Sequence, residues 1–367
     1  MSGNELSARY APVERARPSW RKYGLLLGAL PALASFIAAI YFINQTNTTM
    51  SFITLGLFVV TMTAFLAKAY PKRPYLAFVT PALAIYTLFV MVPAIMAVRF
   101  SLYNWTGLGD PTDFVGLGNY REIFSNSEFL NALWNNIQLF LAIFIIQNLI
   151  GLPLAMALDG KPRFHEFYRA GLFMPVIISL VASGYIWQIV FGPNIGMLGP
   201  LLELLHLDSW KRDWLADRFL TFKLVMLVQA WQHLGGPIII YLAGLQSIPA
   251  DLRDAARVDG ANSWRTFRDV VFPLLAPAFT IVTVTTFIAM FRAFDIPYVL
   301  GGPGGTPDGT TDVLSLVIYR EAFGLGGIVG SVYRQGYAVA AGVVMFAFLL
   351  LAVSIQVGFL RRREVTF

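Results

Sequence analysis

Residues 133–158 read LWNNIQLFLAIFIIQNLIGLPLAMAL, 26 positions without one charged side chain. Crossing about 30 Å of hydrocarbon takes roughly 20 mostly apolar residues, so this stretch is long enough to span a membrane. Inside lipid such a segment is helical, because a helix satisfies its own backbone groups. Seven further stretches qualify, at about 23–43, 50–69, 75–100, 170–191, 222–244, 276–299 and 337–360. The whole composition agrees: 57% of the 367 residues are hydrophobic and 13% are charged, where soluble domains carry about 25% charge. The expected fold class is an all-α polytopic membrane bundle of about eight transmembrane helices.

Composition also excludes several chemistries. The chain has no cysteine, hence no disulfide framework, thiolate metal site or thiol nucleophile. Its three histidines, His165, His206 and His233, form no HExxH pair, so no metal site is expected. No catalytic residues are assigned, and no phosphate-binding Gly-x-x-x-x-Gly-Lys-Ser/Thr loop is present. The formal charge of +6 invites a nucleic-acid reading, but its distribution argues otherwise. With a cytoplasmic N-terminus, 18 of the 27 basic residues fall in inside segments, eight outside, and Arg292 within a span. That is the positive-inside bias, and it places both termini in the cytoplasm of a multi-pass inner-membrane protein. Arg21-Lys22 followed by an apolar run resembles a signal peptide. The run continues to Ile43, however, which suits a span rather than a cleaved leader.

The loop at 245–275 has its own pattern. Pro249 sits where a helix begins, Asp251 suits the first turn, and Gly260 suits a helix C-terminus. A second helix, starting near Asn262 or Ser263, is expected to run to Phe272 and stop at Pro273. The predicted unit is a helix-turn-helix on the cytoplasmic face, with four acidic and four basic residues. Asp254-Ala255-Ala256, Asp259-Gly260-Ala261, Phe267, Val271 and Pro273 fall at the offsets of a known motif. The segment resembles the coupling loop of permease subunits of binding-protein-dependent ABC importers, in the form typical of the carbohydrate-uptake branch. The resemblance implies that Asp254, Ala255, Ala256, Asp259, Gly260, Ala261, Phe267 and Pro273 couple the bundle to an ATPase. Asp254 stands where the family usually has glutamate, one methylene longer.

The resemblance covers about residues 75–365. Phe114-Val115-Gly116-Leu117-Gly118-Asn119-Tyr120 and Trp134-Asn135 look like the family's first large outside loop and the following span. Asn136 stands where the family often has threonine. Phe294-Asp295, Gly301-Gly302-Pro303 and Tyr319-Arg320-Glu321-Ala322-Phe323 resemble its last outside loop, with a shorter turn before the Gly-Gly-Pro. The resemblance implies a cytoplasmic tail 1–22, two extra spans in 23–70, a six-helix core 75–360 and a cytoplasmic tail 361–367. The extra spans resemble those of the maltose importer's larger membrane subunit and imply a second permease as heterodimer partner. A cytoplasmic ATPase dimer holding ATP and Mg, and an extracytoplasmic solute-binding protein, are the other implied partners. This chain itself is expected to need no cofactor.

Neutral sugars are recognised by hydrogen-bonding groups and aromatic faces, and polar groups within spans tend to face the bundle interior. Gln229 and His233 lie four apart on one helical face, just before Gly235-Gly236-Pro237. They either line a solute path or bond neighbouring helices. Arg292 and Asp295 lie three apart, close enough to pair, and either lock each other or line the same path. Two other classes fit a polytopic bundle: an ion-coupled secondary transporter and an intramembrane transferase. The first leaves the 245–275 loop unexplained, and the second wants paired carboxylates or a metal cluster.

Overall fold

A computed structural model describes residues 30–38, 48–69, 75–160, 162–192, 196–324 and 333–360. The expected tails at 1–22 and 361–367, and most of the span at 23–43, lie outside them. Among the described residues the structure is helical, and its only β pairing is an isolated Tyr103–Phe114 bridge. Contacts divide the chain into two compact units, Met1–Met96 and Ala97–Phe367.

In the first unit, α1 (Thr48–Ala69) packs on the start of α2 (Val79–Phe100). A helical stretch at 30–38 lies against α1 through Phe36 and Phe58, whose rings are 5.1 Å apart. Ser35 and Thr61 place their hydroxyls 3.4 Å apart beside that ring pair.

The second unit is built from α3 (Gly118–Ser125), α4 (Ser127–Asp159), α5 (His165–Ile177), α6 (Leu180–Phe191) and α7 (Leu198–Leu204). The chain goes on through α8 (Thr221–His233), α9 (Gly235–Ser247), α10 (Ala250–Val258), α11 (Ser263–Leu274) and α12 (Ala276–Phe291). It closes with α13 (Asp295–Gly301), α14 (Leu314–Phe323) and α15 (Gln335–Leu360). Among the described residues α2, α4 and α15 are each long and apolar enough to cross a membrane, and six spans result if each bent pair counts as one.

Three expected spans are therefore not straight rods. The span at 170–191 breaks at Ile178-Ser179, where the backbone is extended, and α5 and α6 cross at 96°. The span at 222–244 bends by 42° between α8 and α9. Its cause is Pro237, which has no N–H to offer the His233 carbonyl one turn earlier. That carbonyl instead accepts a bond from Gln147 Nε2 at 3.2 Å. Gln147 sits in a π turn of α4 and also accepts from Thr286 Oγ1 of α12 at 2.6 Å. One buried amide thus joins three spans at their irregular points.

The third break corrects two expectations. The second loop helix does not stop at Pro273 but runs to Leu274, since the π turn Phe267–Val271 shifts the bonding ahead of the proline. The chain then turns 65° at Leu275 into α12. At its other end, the span expected to run to residue 299 leaves helix after Phe291 and restarts at Asp295.

Side-chain packing surrounds these breaks. Tyr241, Leu245, Leu275 and Val282 centre one core cluster where α9 meets α12. Leu139, Ile143, Met290 and Leu316 centre another, between α4, α12 and α14. Gly184 lets α6 lie close on α13: a Cβ there would sit 2.8 Å from Val299.

Candidate translocation site and coupling loop

The charged loop takes the expected helix-turn-helix form. Helix α10 ends in a paired C-terminal cap: the Gly260 N–H donates to Arg257 O at 3.0 Å and the Ala261 N–H to Ala256 O at 2.9 Å. Gly260 has φ +77°, a conformation that costs other residues about 1–2 kcal/mol. Asn262 then caps α11, its Oδ1 accepting from the Arg265 N–H at 2.9 Å.

The eight residues singled out in this loop divide by burial. Asp254, Ala255, Asp259 and Gly260 are exposed, while Ala256, Ala261 and Pro273 are half-buried. Phe267 packs against the core beneath, between the rings of Trp264 and Phe272 at 5.7 and 5.9 Å. Asp254 pairs with Arg257 on its own helix at 3.2 Å, an exposed contact that contributes little. Two apolar residues missing from the sequence reading stand out beside these charges: Val258 is 87% exposed and Trp264 64%.

Arg253 anchors the loop to the bundle. Its Nη1 donates to Asp159 Oδ2 and its Nη2 to the Leu245 carbonyl, both at 2.7 Å. Asp159 ends α4 and Leu245 lies in the last turn of α9. One guanidinium therefore ties α10 to two spans. Nothing in the sequence sets Arg253 apart from the other three basic residues of the loop.

Further into the bundle, Gln229, His233, Arg292 and Asp295 all line one cavity of about 410 Å³, with Leu180 and Phe294. The break between α8 and α9 sits at one wall, and the gap between α12 and α13 at another. His233 Nδ1 lies 3.0 Å from the Gln229 carbonyl, the ordinary one-turn contact. Gln229 is 3% exposed, yet its Oε1 has no hydrogen-bond partner. A buried amide oxygen left unpaired is costly, so it suits a site that receives a donor. Arg292 and Asp295 form no ion pair, so of the two readings left open for them the mutual lock is not the one seen. Three positions apart is one helical turn, but α12 ends at Phe291 and α13 starts only at Asp295, so no one helix carries both.

A second, larger cavity of about 1000 Å³ lies at the end of the bundle opposite the charged loop. Its wall includes Glu128, Asn135, Lys223, Asp312, Arg320 and Glu321. Arg320 holds the buried Asp312 carboxylate through two bonds of 2.9 and 2.8 Å and reaches exposed Glu128 at 3.3 Å. Burial lifts the Asp312 carboxyl above its ordinary range, and the Arg320 bonds oppose that lift. Asn135 donates to Thr310 O and Asp312 O, at 3.1 and 2.8 Å. Asn136 donates to Met290 O at 2.7 Å and accepts from the Leu314 N–H at 2.8 Å. The two adjacent amides tie α4 to the end of α12 and the start of α14.

Residues 129–365 match the family described as binding-protein-dependent transport system inner membrane component. The chain belongs to this family. A probable starch degradation products transport system permease protein of Thermoanaerobacterium thermosulfurigenes is 33% identical over 79% of this chain and 95% of its own length. A multiple sugar-binding transport system permease protein of Streptococcus mutans is 30% identical over 78% of this chain and 95% of its own. The fold is that of a chain in the crystal structure of a bacterial ABC transporter involved in the import of the acidic polysaccharide alginate. The TM-score is 0.67 at 23% identity, covering 81% of this chain and 98% of that one.

In this permease, one of the two breaks that shape the smaller cavity, that between α8 and α9, carried a sequence signal in Gly235-Gly236-Pro237. Gln147 was visible too, as a polar residue amid an apolar run. The ties made by Arg253 were not, because they join positions far apart in the chain.

Proposed function

We propose that this permease forms the translocation path for a carbohydrate, delivered by an extracytoplasmic binding protein and moved by ATP hydrolysis on a separate subunit. The observation that carries the proposal is the convergence of Gln229, His233, Arg292 and Asp295 on one cavity, with the Gln229 amide oxygen buried and unpaired. Its volume of about 410 Å³ falls in the range of small-molecule sites, roughly 300–1,000 Å³. Hydroxyl groups of a sugar supply the donors that Gln229 lacks. The names of the relatives, which include starch degradation products and multiple sugars, support the substrate class.

In this reading the 245–275 loop faces the cytoplasm and seats in an ATPase dimer that binds ATP and Mg. Exposed Asp254, Asp259, Val258 and Trp264 offer it a mixed charged and apolar surface. A second permease completes the path, and the helices of the first 70 residues mark this chain as the larger partner. Uptake of labelled sugars into proteoliposomes holding the assembled complex tests the proposal. Accumulation should require the binding protein and enclosed ATP. Uptake that persists without ATP, driven by an ion gradient, would overturn it.

A further inference from the structure

Four aromatic rings of α13, α14 and the residue before α13 meet beside the smaller cavity: three touch one another and the fourth extends from them. Phe294 lines that cavity. It stacks on Tyr298 at 5.2 Å with an interplanar angle of 27°, and meets Tyr319 of α14 at 5.2 Å. Tyr298 and Tyr319 are 5.8 Å apart edge to face, and Tyr319 to Phe323 is 5.3 Å. The spacing follows from sequence: 294 and 298, like 319 and 323, lie one helical turn apart on a shared face.

Phe129, Tyr241 and Phe291 are fully buried in this unit's core. The four rings beside the cavity are not. Phe294, Tyr298 and Tyr319 are half-buried, and Phe323 is 56% exposed. The rings hold one another while part of each remains accessible. The upper end lies beside the larger cavity, whose wall includes the neighbouring Arg320, Glu321 and Gly324. The set thus begins at the cavity that Gln229 lines and ends at Phe323, next in sequence to Gly324 of the larger cavity's wall.

We propose that Phe294, Tyr298, Tyr319 and Phe323 form a track on which saccharide rings stack on their way to the Gln229 cavity. Aromatic faces carry negative charge density, and the C–H groups on one face of a pyranose carry the complementary charge. The two steps from Phe294 to Tyr319 and on to Phe323, 5.2 and 5.3 Å, are comparable to the length of one sugar residue, and Tyr298 flanks the first of them. Tyr298 and Tyr319 add hydroxyls between two phenyl rings, so a chain can exchange hydrogen bonds as it slides. The ligand class is an oligosaccharide with cyclic residues. An acyclic polyol offers no ring face and gains nothing from the track. The inference rests on the carbohydrate reading and adds to it a dependence on chain length.

The test uses the assembled transporter in detergent, with glucose oligomers of one to five residues as probes. In the parent complex, affinity should rise with length. Tyr319→Leu and Phe323→Ala should each weaken the longer oligomers by about fivefold, the scale of one aromatic contact, and leave glucose unchanged. Phe323 is exposed, so its truncation leaves the fold intact if Tyr319→Leu does not. Gln229→Ala should weaken every length alike. Equal affinity of longer oligomers for the parent, Tyr319→Leu and Phe323→Ala complexes overturns the track and leaves the carbohydrate reading standing. Failure of every oligomer to bind the parent complex overturns both. Accessibility gives a second arm, because the chain has no native cysteine. Phe323→Cys should react with a water-soluble maleimide in the complex, and a five-residue oligomer should protect it. A cysteine that is unreactive there, covered by the second permease, or one that no oligomer protects, overturns the proposal.

Discussion

Single residues set the balance between holding this permease together and leaving it able to move. Arg253 joins the loop helix α10 to the ends of α4 and α9 through two 2.7 Å bonds. Removing it leaves the Asp159 carboxylate half-buried without its partner, at about 1–3 kcal/mol. Arg253→Ala should therefore lower the ratio of solute transported to ATP hydrolysed by the assembled complex. An unchanged ratio would show that the tie is not part of coupling. Arg320 differs in kind, because its partner Asp312 is buried and Glu128 is exposed. Breaking a buried pair from one side costs about 3–5 kcal/mol, whereas an exposed one contributes about 0–1. Arg320→Met should thus lower the apparent melting temperature of the purified protein clearly more than Glu128→Gln does. Equal shifts would place the stabilising contact elsewhere.

Secondary-structure elements were legible to unequal degrees. The apolar runs gave away the long helices, because burial in lipid demands an unbroken apolar stretch. The loop's turn was legible for a local reason: Gly260 lies where a left-handed residue closes the paired cap of α10. The bends were only half visible. Pro237 and its glycines signalled the 42° turn, but nothing local marked Ile178-Ser179 as the point of a 96° break. The Arg292–Asp295 lock, one of two readings open for those residues, presumed a continuous helix, whereas α12 ends at Phe291. The inner cavity was foreshadowed at four of its wall positions. Its aromatic row was hidden, because Tyr298 and Tyr319 meet only through the packing of α13 beside α14. Gly260→Ala should strain the loop by about 1–2 kcal/mol and Gly260→Pro should distort it further. Co-purification of the ATPase and solute uptake should fall in that order, while the amount of protein in the membrane stays the same. Full uptake with Gly260→Pro would contradict a coupling role for the turn.

At the scale of the whole molecule, the long helix α4 connects the two working ends. Ser127, Glu128 and Asn135 line the larger cavity at one end, and Asp159 holds the charged loop at the other. The proposed orientation puts that loop inside the cell. Reporter fusions at Gly118 and Pro303 should then read periplasmic and a fusion at Gly260 cytoplasmic; the reverse pattern would invert the proposal. The central claim is that solute is chosen at the Gln229–His233–Arg292 cavity and moved by action at the 245–275 loop. Its most direct test is uptake selectivity of well-expressed Gln229→Ala, His233→Ala and Arg292→Ala complexes across a panel of sugars. A lost hydrogen bond costs on the order of 1 kcal/mol, so the order of preference should shift several-fold while basal ATP hydrolysis persists. If all three variants keep the parent's preference for every sugar, the path does not run through this cavity.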